Sequence, residues 1–264
     1  MITFYEEGHK YLRDSDGKQL LSVSGLASLY EEKKDWDKIC KRTAKKRGID
    51  PKELRAKWDN KNKIATQAGT KLHEIKEMEL LNAPYIFDGI ELSKPNYKFG
   101  KSEKKLPSQK LENNHVYPEH MVYNEYYAIT GQSDKVVISN NTIYILDYKT
   151  DQQLSWKAFA SEWVEAEKFL DPISHLEKCN GNEYALKMSL YMYLVWLENR
   201  EYKMGDIIIE HVSIERDEDG VPVLHDGIPN IIEEKEYRPK LLLREAKLIL
   251  EHYRDCLLYT SDAA

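Results

Sequence analysis

The chain has 264 residues, of which 32% are charged and 41% are hydrophobic. This composition is typical of a globular protein and excludes a disordered chain. No apolar run approaches the ~20 residues that a membrane span needs, and the first residues contain no apolar signal core. We therefore expect a protein that acts in the cytoplasm and has no membrane partner.

Cysteine usage agrees with a reducing compartment. Cys40, Cys179 and Cys256 lie far apart in the sequence and include no CxxC pair. Three isolated thiols form neither a disulfide framework nor a four-thiolate zinc or iron–sulfur site. We therefore expect three reduced cysteines and no iron–sulfur cluster.

The net charge of −6 is unevenly distributed along the chain. Residues 31–63 contain 13 Lys/Arg and 7 Asp/Glu, a local excess of +6, and residues 94–110 contain six Lys and one Glu. Such segments are either solvated surfaces or contacts to a nucleic-acid backbone. The rest of the chain is strongly acidic, and part of that acidity can hold a divalent cation.

The predicted elements begin with a hairpin over residues 1–23. A turn at Asp14–Gly17 separates its strand-like segments, ITFYEEGHKYL and QLLSVS. Ser24 is predicted to cap a helix that begins with Leu26.

A basic helical region is predicted next, over residues 31–58, with a break at Gly48–Pro51. Residues 60–82 predict a separate, longer helix, because their apolar residues recur at helical spacing until Asn82–Pro84. Residues 88–115 are rich in Gly, Pro, Ser, Asn and Lys, which indicates a long mobile loop or a weak helical insert.

The second half of the chain predicts strands over 116–149 and 206–215, and helices over 152–170, 183–199 and from Pro239 to about Leu258. This order predicts an α/β fold with a mixed central sheet flanked by helices, preceded by an N-terminal helical elaboration. Residues 259–264 fit no element and are expected to be a disordered tail.

Residues 128–150 contain the most informative pattern. Asn140-Asn141 is a favourable two-residue hairpin turn, because Asn tolerates positive φ. With that turn, cross-strand partners have residue numbers that sum to 281, so Asp134 lies opposite Asp147. Opposed residues of an antiparallel pair have Cβ atoms ~4.5–5.5 Å apart. The turn alone therefore predicts two facing carboxylates.

Two carboxylates at this separation repel each other, and each raises the pKa of the other unless a cation lies between them. Hard oxygen ligands select magnesium or manganese. Strand alternation places Lys149 on the same face as Asp147, beside Ile143 and Ile145. A lysine there can orient a water or stabilise the charge of an attacked phosphate. The alternative interpretation is an exposed hairpin face with ordinary charges.

Four segments, in order along the chain, resemble the motifs of RecB-type PD-(D/E)XK nucleases. The family motifs GTxxHE, GxxD, DYKT and QxxxY are similar to Gly69–Glu74 (GTKLHE), Gly131–Asp134 (GQSD), Asp147–Thr150 (DYKT) and Tyr184–Tyr191 (YALKMSLY). The hairpin start, the SVSG segment and Pro172–Leu176 are similar to phage-encoded members. The resemblance spans nearly the whole chain and favours the exonuclease-like branch that lacks an iron–sulfur cluster.

The resemblance implies a role for each matched residue. His73, Asp134, Asp147 and the backbone carbonyl of Tyr148 would bind Mg²⁺ or Mn²⁺. Lys149 would position the nucleophilic water, so that Asp134, Asp147 and Lys149 would form the catalytic centre.

The resemblance also implies a restriction-endonuclease-like core. Residues 1–258 would form a single nuclease domain, in which the N-terminal hairpin and basic helical part (1–82) precede the catalytic core (116–258).

The later helix would serve DNA binding. Tyr191 would contact DNA or steady the site from the side. Lys187 departs from the family pattern, which has Gln at this position, and it would bind a phosphate only as a point charge. The basic region would hold the DNA backbone, and the residues expected to do so are Lys41, Arg42, Lys45, Lys46 and Arg47.

These features together predict a metal-dependent DNA nuclease, a phage-type exonuclease of DNA recombination, repair or replication. Its partners would be DNA and a single-strand annealing or other recombination protein in the bacterial host cell. Two alternatives remain open from sequence. One is a structure-specific endonuclease, and the other is a catalytically silent DNA-binding accessory protein with the same fold.

Overall fold

The computed structural model describes residues 2–5, 10–94, 104–105, 109–162 and 164–261. The helices in these ranges are α1 (Val23–Leu29), α2 (Trp36–Arg47), α3 (Pro51–Asn82), α4 (Asn180–Glu198) and α5 (Leu243–Ser261). The strands in the first half are β1 (Ile2–Tyr5), β2 (Lys10–Arg13), β3 (Leu21–Ser22), β4 (Tyr85–Phe87), β5 (Ile90–Leu92) and β6 (Lys104–Lys105). The later strands are β7 (His115–Asn124), β8 (Ile129–Ser139), β9 (Thr142–Lys149), β10 (Lys203–Ile214), β11 (Leu224–His225), β12 (Ile228–Pro229) and β13 (Ile231–Tyr237).

The predicted hairpin around Asn140-Asn141 is confirmed, and it forms the middle of a six-stranded sheet. Both turn residues have positive φ, 49° and 58°, as a two-residue turn with right-handed strand twist requires. The pairs run from Ser139 opposite Thr142 to Lys135 opposite Leu146, so the predicted sum of 281 holds along this ladder.

The central sheet is mixed, as predicted. Its order is β13-β10-β9-β8-β3, and β7 also pairs with β8. The β9–β10 and β3–β8 pairs are parallel, whereas β7–β8, β8–β9 and β10–β13 are antiparallel. Helix α4 lies in the connection between β9 and β10, as parallel neighbours require a long crossover.

Helices cover both faces of the sheet. On one face, Ile143 and Ile145 of β9 pack in the same core as Leu186 and Leu190 of α4. On the other face, Leu146 of β9 shares a core with residues at the C-terminal end of α3. The chain is therefore an α/β fold with a mixed central sheet flanked by helices. None of the helices in the described residues is long and apolar enough to cross a membrane.

Helix α3 is longer than the sequence predicted. The break at Gly48–Pro51 is confirmed, because Gly48 ends α2 in the left-handed region and the Asp50 side chain caps α3. The predicted gap near residue 59 is wrong, since α3 continues for 32 residues to Asn82. No helix-breaking residue separates Trp58 from Asn62, so the helix has no local reason to stop there.

The helix predicted over residues 152–170 is wrong. This segment forms turns and isolated bridges, and its backbone bonds to the start of α4. The Asn180 side chain accepts the Ser155 N–H and donates to the Gln153 carbonyl, while the Ser155 carbonyl accepts the Gly181 N–H. These bonds replace the i to i+4 pattern that a helix would need.

The N-terminal pairing also differs from the prediction. Strands β1 and β2 form the hairpin within the first predicted strand segment, and β3 leaves to pair in parallel with β8. Helix α1 begins at Val23 rather than Leu26, because the Ser22 hydroxyl, not Ser24, accepts the Gly25 N–H.

The loop predicted over residues 88–115 differs from the structure in its first part. Part of the predicted loop is a β4–β5 hairpin, with Asp88 and Gly89 at its positive-φ turn. Residues 95–103 and 106–108 of that predicted loop lie outside the described residues.

The C-terminal helix begins and ends later than predicted. Helix α5 starts at Leu243, where the Leu242 N–H donates to the Ser189 hydroxyl of α4, and not directly after Pro239. It runs to Ser261, so residues 259–261 of the predicted disordered tail are helical. Residues 262–264 lie outside the described part of the chain.

Candidate metal centre

The open end of the β8–β9 hairpin carries the polar residues that the sequence singled out. Strand alternation places Asp147 and Lys149 on the face of Ile143 and Ile145, and these two isoleucines are fully buried. The charged groups therefore lie directly beyond the apolar core between the sheet and α4.

The β-ladder stops one pair before the two aspartates. Lys135 and Leu146 are the last partners, and β8 then pairs with β3. The side chain of Asp134 replaces the next backbone acceptor, because its Oδ2 accepts the Tyr148 N–H at 2.9 Å. Asp134 is thus held at the point where β8 and β9 separate.

Helix α3 brings His73 to this point. Its Nδ1 lies 3.6 Å from Asp134 Oδ2, and its ring contacts the Tyr148 ring edge-on, with centroids 5.8 Å apart. Gly69 lies one turn before His73 and faces Thr150. A Cβ atom added at Gly69 would lie 4.0 Å from the Thr150 hydroxyl oxygen, which is an ordinary van der Waals distance. The sequence GTKLHE therefore places a small residue where the helix passes the end of β9.

Glu119 is a functional candidate that the sequence analysis missed. It lies in β7 with a φ of 47°, and its Oε1 is 3.7 Å from His73 Nδ1. The β7–β8 pairs on both sides of Glu119 share a sum of 253, which aligns Glu119 with Asp134, although these two residues are not themselves a ladder pair. Gln132 of the GQSD segment donates to Glu119 Oε2 at 2.8 Å. The turn between β7 and β8 fixes this register, so it was the signal that could have revealed Glu119.

Three side chains from three elements thus converge. His73, Glu119 and Asp134 each offer a ligand atom, and these atoms all lie within 4.8 Å of one another. The two carboxylates are hard oxygen donors that suit magnesium or manganese, and the imidazole adds a borderline nitrogen donor.

Two of the predicted ligands have a different contact. The Lys149 ammonium contacts the Asp147 carboxylate and donates to the Tyr148 carbonyl at 3.1 Å. The same ammonium lies 5.0 Å from the centroid of the Tyr184 ring. Of the predicted metal ligands, the structure brings His73 and Asp134 into the three-residue cluster, while Asp147 and the Tyr148 carbonyl lie beside it around Lys149.

The electrostatics of the site are those of a like-charge pair that is mostly shielded from solvent. Burial and the neighbouring Asp147 carboxylate raise the pKa of Asp134 well above its usual value, although Lys149 and His73 oppose this. Burial lowers the pKa of Lys149, but the two aspartates outweigh it and the net shift is upward. Burial likewise lowers the pKa of His73, whereas Glu119 and Asp134 raise it to a net upward shift. A bound cation would relieve the repulsion among these carboxylates.

Tyr191 packs against the site from α4. A Cβ added at Gly131 would lie 2.6 Å from the Tyr191 hydroxyl, so only glycine fits under this ring. Burial, followed by the charges of Asp134 and Asp147, raises the pKa of Tyr191. Lys187, one turn earlier on α4, donates to Glu183 at 2.6 Å.

The five basic residues predicted to bind DNA all lie exposed on α2. They are Lys41, Arg42, Lys45, Lys46 and Arg47, and none forms an ion pair with the described part of the chain. The opposite side of α2 buries Cys40 and Ala44 against Leu54 of α3. Helix α2 is therefore fixed to the helix that carries His73 and presents its cations to solvent.

The chain was also compared with known proteins. No model of a protein family matches it, and no curated protein gives a match.

Proposed function

We propose that this protein is a divalent-metal-dependent deoxyribonuclease that hydrolyses phosphodiester bonds. The observation that carries the proposal is the convergence of His73, Glu119 and Asp134, with Asp147 and Lys149 beside them, at the open end of one hairpin. An α/β fold whose central hairpin bears Asp134, Asp147 and Lys149 is compatible with the restriction-endonuclease-like core that the motifs imply.

The proposed ligands divide into two sets. His73, Glu119 and Asp134 would hold a magnesium or manganese ion. Asp147 and the Tyr148 carbonyl, which contact Lys149, lie beside these three residues and would complete the active site. The ion, when bound, supplies Lewis-acid charge to the phosphate and acidifies a water.

The protein's own groups would perform the remaining steps. The Lys149 ammonium, whose raised pKa keeps it charged, would align the water and stabilise the charge that develops on the attacked phosphate. Gln132 would keep the Glu119 carboxylate oriented through its hydrogen bond. Tyr191 would keep β8 in place by packing on Gly131.

The test uses end-labelled linear DNA and closed circular DNA, each with magnesium and with EDTA. We expect magnesium-dependent loss of the linear substrate from its ends, as the exonuclease resemblance implies. Nicking of the circle would instead indicate an endonuclease. DNA binding without cleavage under any metal would contradict the proposal and favour the silent accessory protein. Asp147→Asn serves as the matched inactive variant.

A further inference from the structure

Two clefts of opposite charge meet at His73. The first, which we call the acidic cleft, has a volume of about 740 Å³ and is lined by Glu74, Glu77 and Glu119 among others. The second, the basic cleft, has a volume of about 380 Å³ and includes Lys61 and Arg216 in its lining. A polyanion that approaches the metal centre is repelled by the first cleft and attracted by the second.

Backbone carbonyls hold Lys61 and Arg216 of the basic cleft, whereas the third cation, Lys149, contacts the Asp147 carboxylate. Lys61 donates to the Asp219 carbonyl at 2.8 Å, and Arg216 donates to the carbonyls of Gly220 and Thr150. Within the described residues neither side chain forms an ion pair. Their positions are therefore fixed by neutral oxygens, and further N–H donors remain for a ligand. Asp151, which also lines the cleft, attracts Arg216 without forming an ion pair with it.

The basic cleft extends from these cations to the proposed active site. Lys61, Ala65 and His73 of α3 line the cleft, together with Lys149 of β9 and Tyr184 of α4. Lys61 and His73 are twelve residues apart, which is about 18 Å along a helix axis. Beyond Lys61, α3 leads to its junction with α2, where the five exposed basic residues lie.

We propose that the basic cleft binds the phosphate backbone of the cleaved strand on one side of the scissile phosphate, with Lys61 and Arg216 as its phosphate-binding residues. This inference rests on the proposed function. The strand would leave the metal centre along the N-terminal half of α3 toward α2, and it would avoid the acidic cleft. One strand of duplex DNA advances about 3.4 Å per phosphate, so about 18 Å of helix corresponds to roughly five phosphates. The flexible lysine side chain shortens this distance when it reaches toward the metal centre, so the Lys61 contact falls roughly three to five phosphates from the cleaved bond.

The test compares Lys61→Met with Lys63→Met in DNA binding and in cleavage. Lys63 lies on the same helix, is exposed and does not line the basic cleft, so it is a matched control. Binding is measured by fluorescence anisotropy over a range of salt concentrations, with calcium in place of magnesium. We expect Lys61→Met to weaken binding on the order of tenfold and to reduce the salt slope by about 0.9, the value for one lost phosphate contact. Lys63→Met should match the wild type.

A second measurement locates the contact. Single methylphosphonates, which are neutral, replace the phosphates one at a time on both sides of the cleavage position. In the wild type we expect a substitution roughly three to five phosphates to one side of the cleavage position to weaken binding as Lys61→Met does, and in Lys61→Met the same substitution should have no further effect. Additive losses would overturn the proposed contact. Arg216→Gln, checked by thermal melting, should remove the effect of a neighbouring methylphosphonate.

The outcomes separate this inference from the proposed function. Cleavage by the wild type with no difference between Lys61→Met and Lys63→Met would overturn the strand path alone. A Lys61 effect on binding without metal-dependent cleavage would support the strand path and overturn the nuclease. Failure of the wild type to bind DNA would overturn both.

Discussion

Asp134→Asn gives the sharpest test of the metal centre, because the substitution removes a charge and preserves the shape. The Asn oxygen can still accept the Tyr148 N–H that Asp134 Oδ2 accepts at 2.9 Å. The charge itself is unfavourable without a cation, since burial and Asp147 raise the pKa of Asp134. We therefore expect the metal-free variant to be more stable than the wild type at pH 8, by about 1–3 kcal/mol, the usual cost of a poorly satisfied buried group.

The pH dependence of this difference follows from the sign of the shift. An aspartate whose folded pKa lies above its unfolded pKa of about 3.9 binds more protons in the folded state, so it destabilises the fold increasingly as pH rises above that value. The advantage of Asp134→Asn should therefore be absent near pH 4, grow as pH rises and level off above the folded pKa. Magnesium should reverse the order, because the wild type gains about 4.1 kcal/mol at about 1,000 times its dissociation constant. The variant should gain nothing.

Thermal melts of both proteins at several pH values, with magnesium or EDTA, measure these effects. One kcal/mol corresponds to about 2–4 °C for a chain of this size. Asp59→Asn is the control, because this α3 residue is 66% exposed and its loss should change stability by less than about 1 kcal/mol. The reasoning is refuted if metal-free Asp134→Asn melts below the wild type at pH 8 while magnesium still stabilises it.

Three further variants test separate parts of the structure. Lys149→Met should keep metal affinity in calorimetric titration but lower the cleavage rate at least about 100-fold, since Lys149 acts on water and phosphate; unchanged turnover would remove its proposed role. His73→Ala should weaken magnesium affinity and recover part of its activity at high manganese concentration, and full magnesium affinity would exclude His73 as a ligand. Glu210→Gln should cost about 3 kcal/mol in urea unfolding, because Lys135 is buried and donates to both Glu210 carboxylate oxygens; a change below about 1 kcal/mol would show that this buried pair is not maintained.

The hairpin could be predicted from sequence because its geometry is local. Two consecutive asparagines set the turn, the turn sets the register, and alternation then assigns each side chain to a face. Asp134, Asp147 and Lys149 follow from these steps without any knowledge of the remaining chain. The position of His73 could not be derived from local geometry, because α3 is far from β8 in sequence. Only the GTKLHE resemblance indicated it.

The segment after Thr150 could not be predicted in the same way. Residues 152–170 have apolar residues at spacings that favour a helix, but periodicity does not show whether a surface is available to bury them. In the structure Phe159 is 77% exposed, and the backbone near Ser155 bonds to Asn180 and Gly181 instead. Such long-range partners outweigh a weak local preference.

The position of Glu119 can be derived by applying the same turn-and-register argument to a second pair of strands. The Asn140-Asn141 turn gives the sum of 281, and the Glu125–Ala128 connection gives the sum of 253. Together the two sums place Glu119, Asp134 and Asp147 in one row across three neighbouring strands. Lys149, two residues beyond Asp147 on β9, balances one of the three negative charges, so the three carboxylates keep an excess of negative charge that a divalent cation would offset better than a second lysine. The position of the proposed cation thus follows from two turns and the alternation of side chains, whereas the choice of His73 as the fourth group depends on how α3 packs.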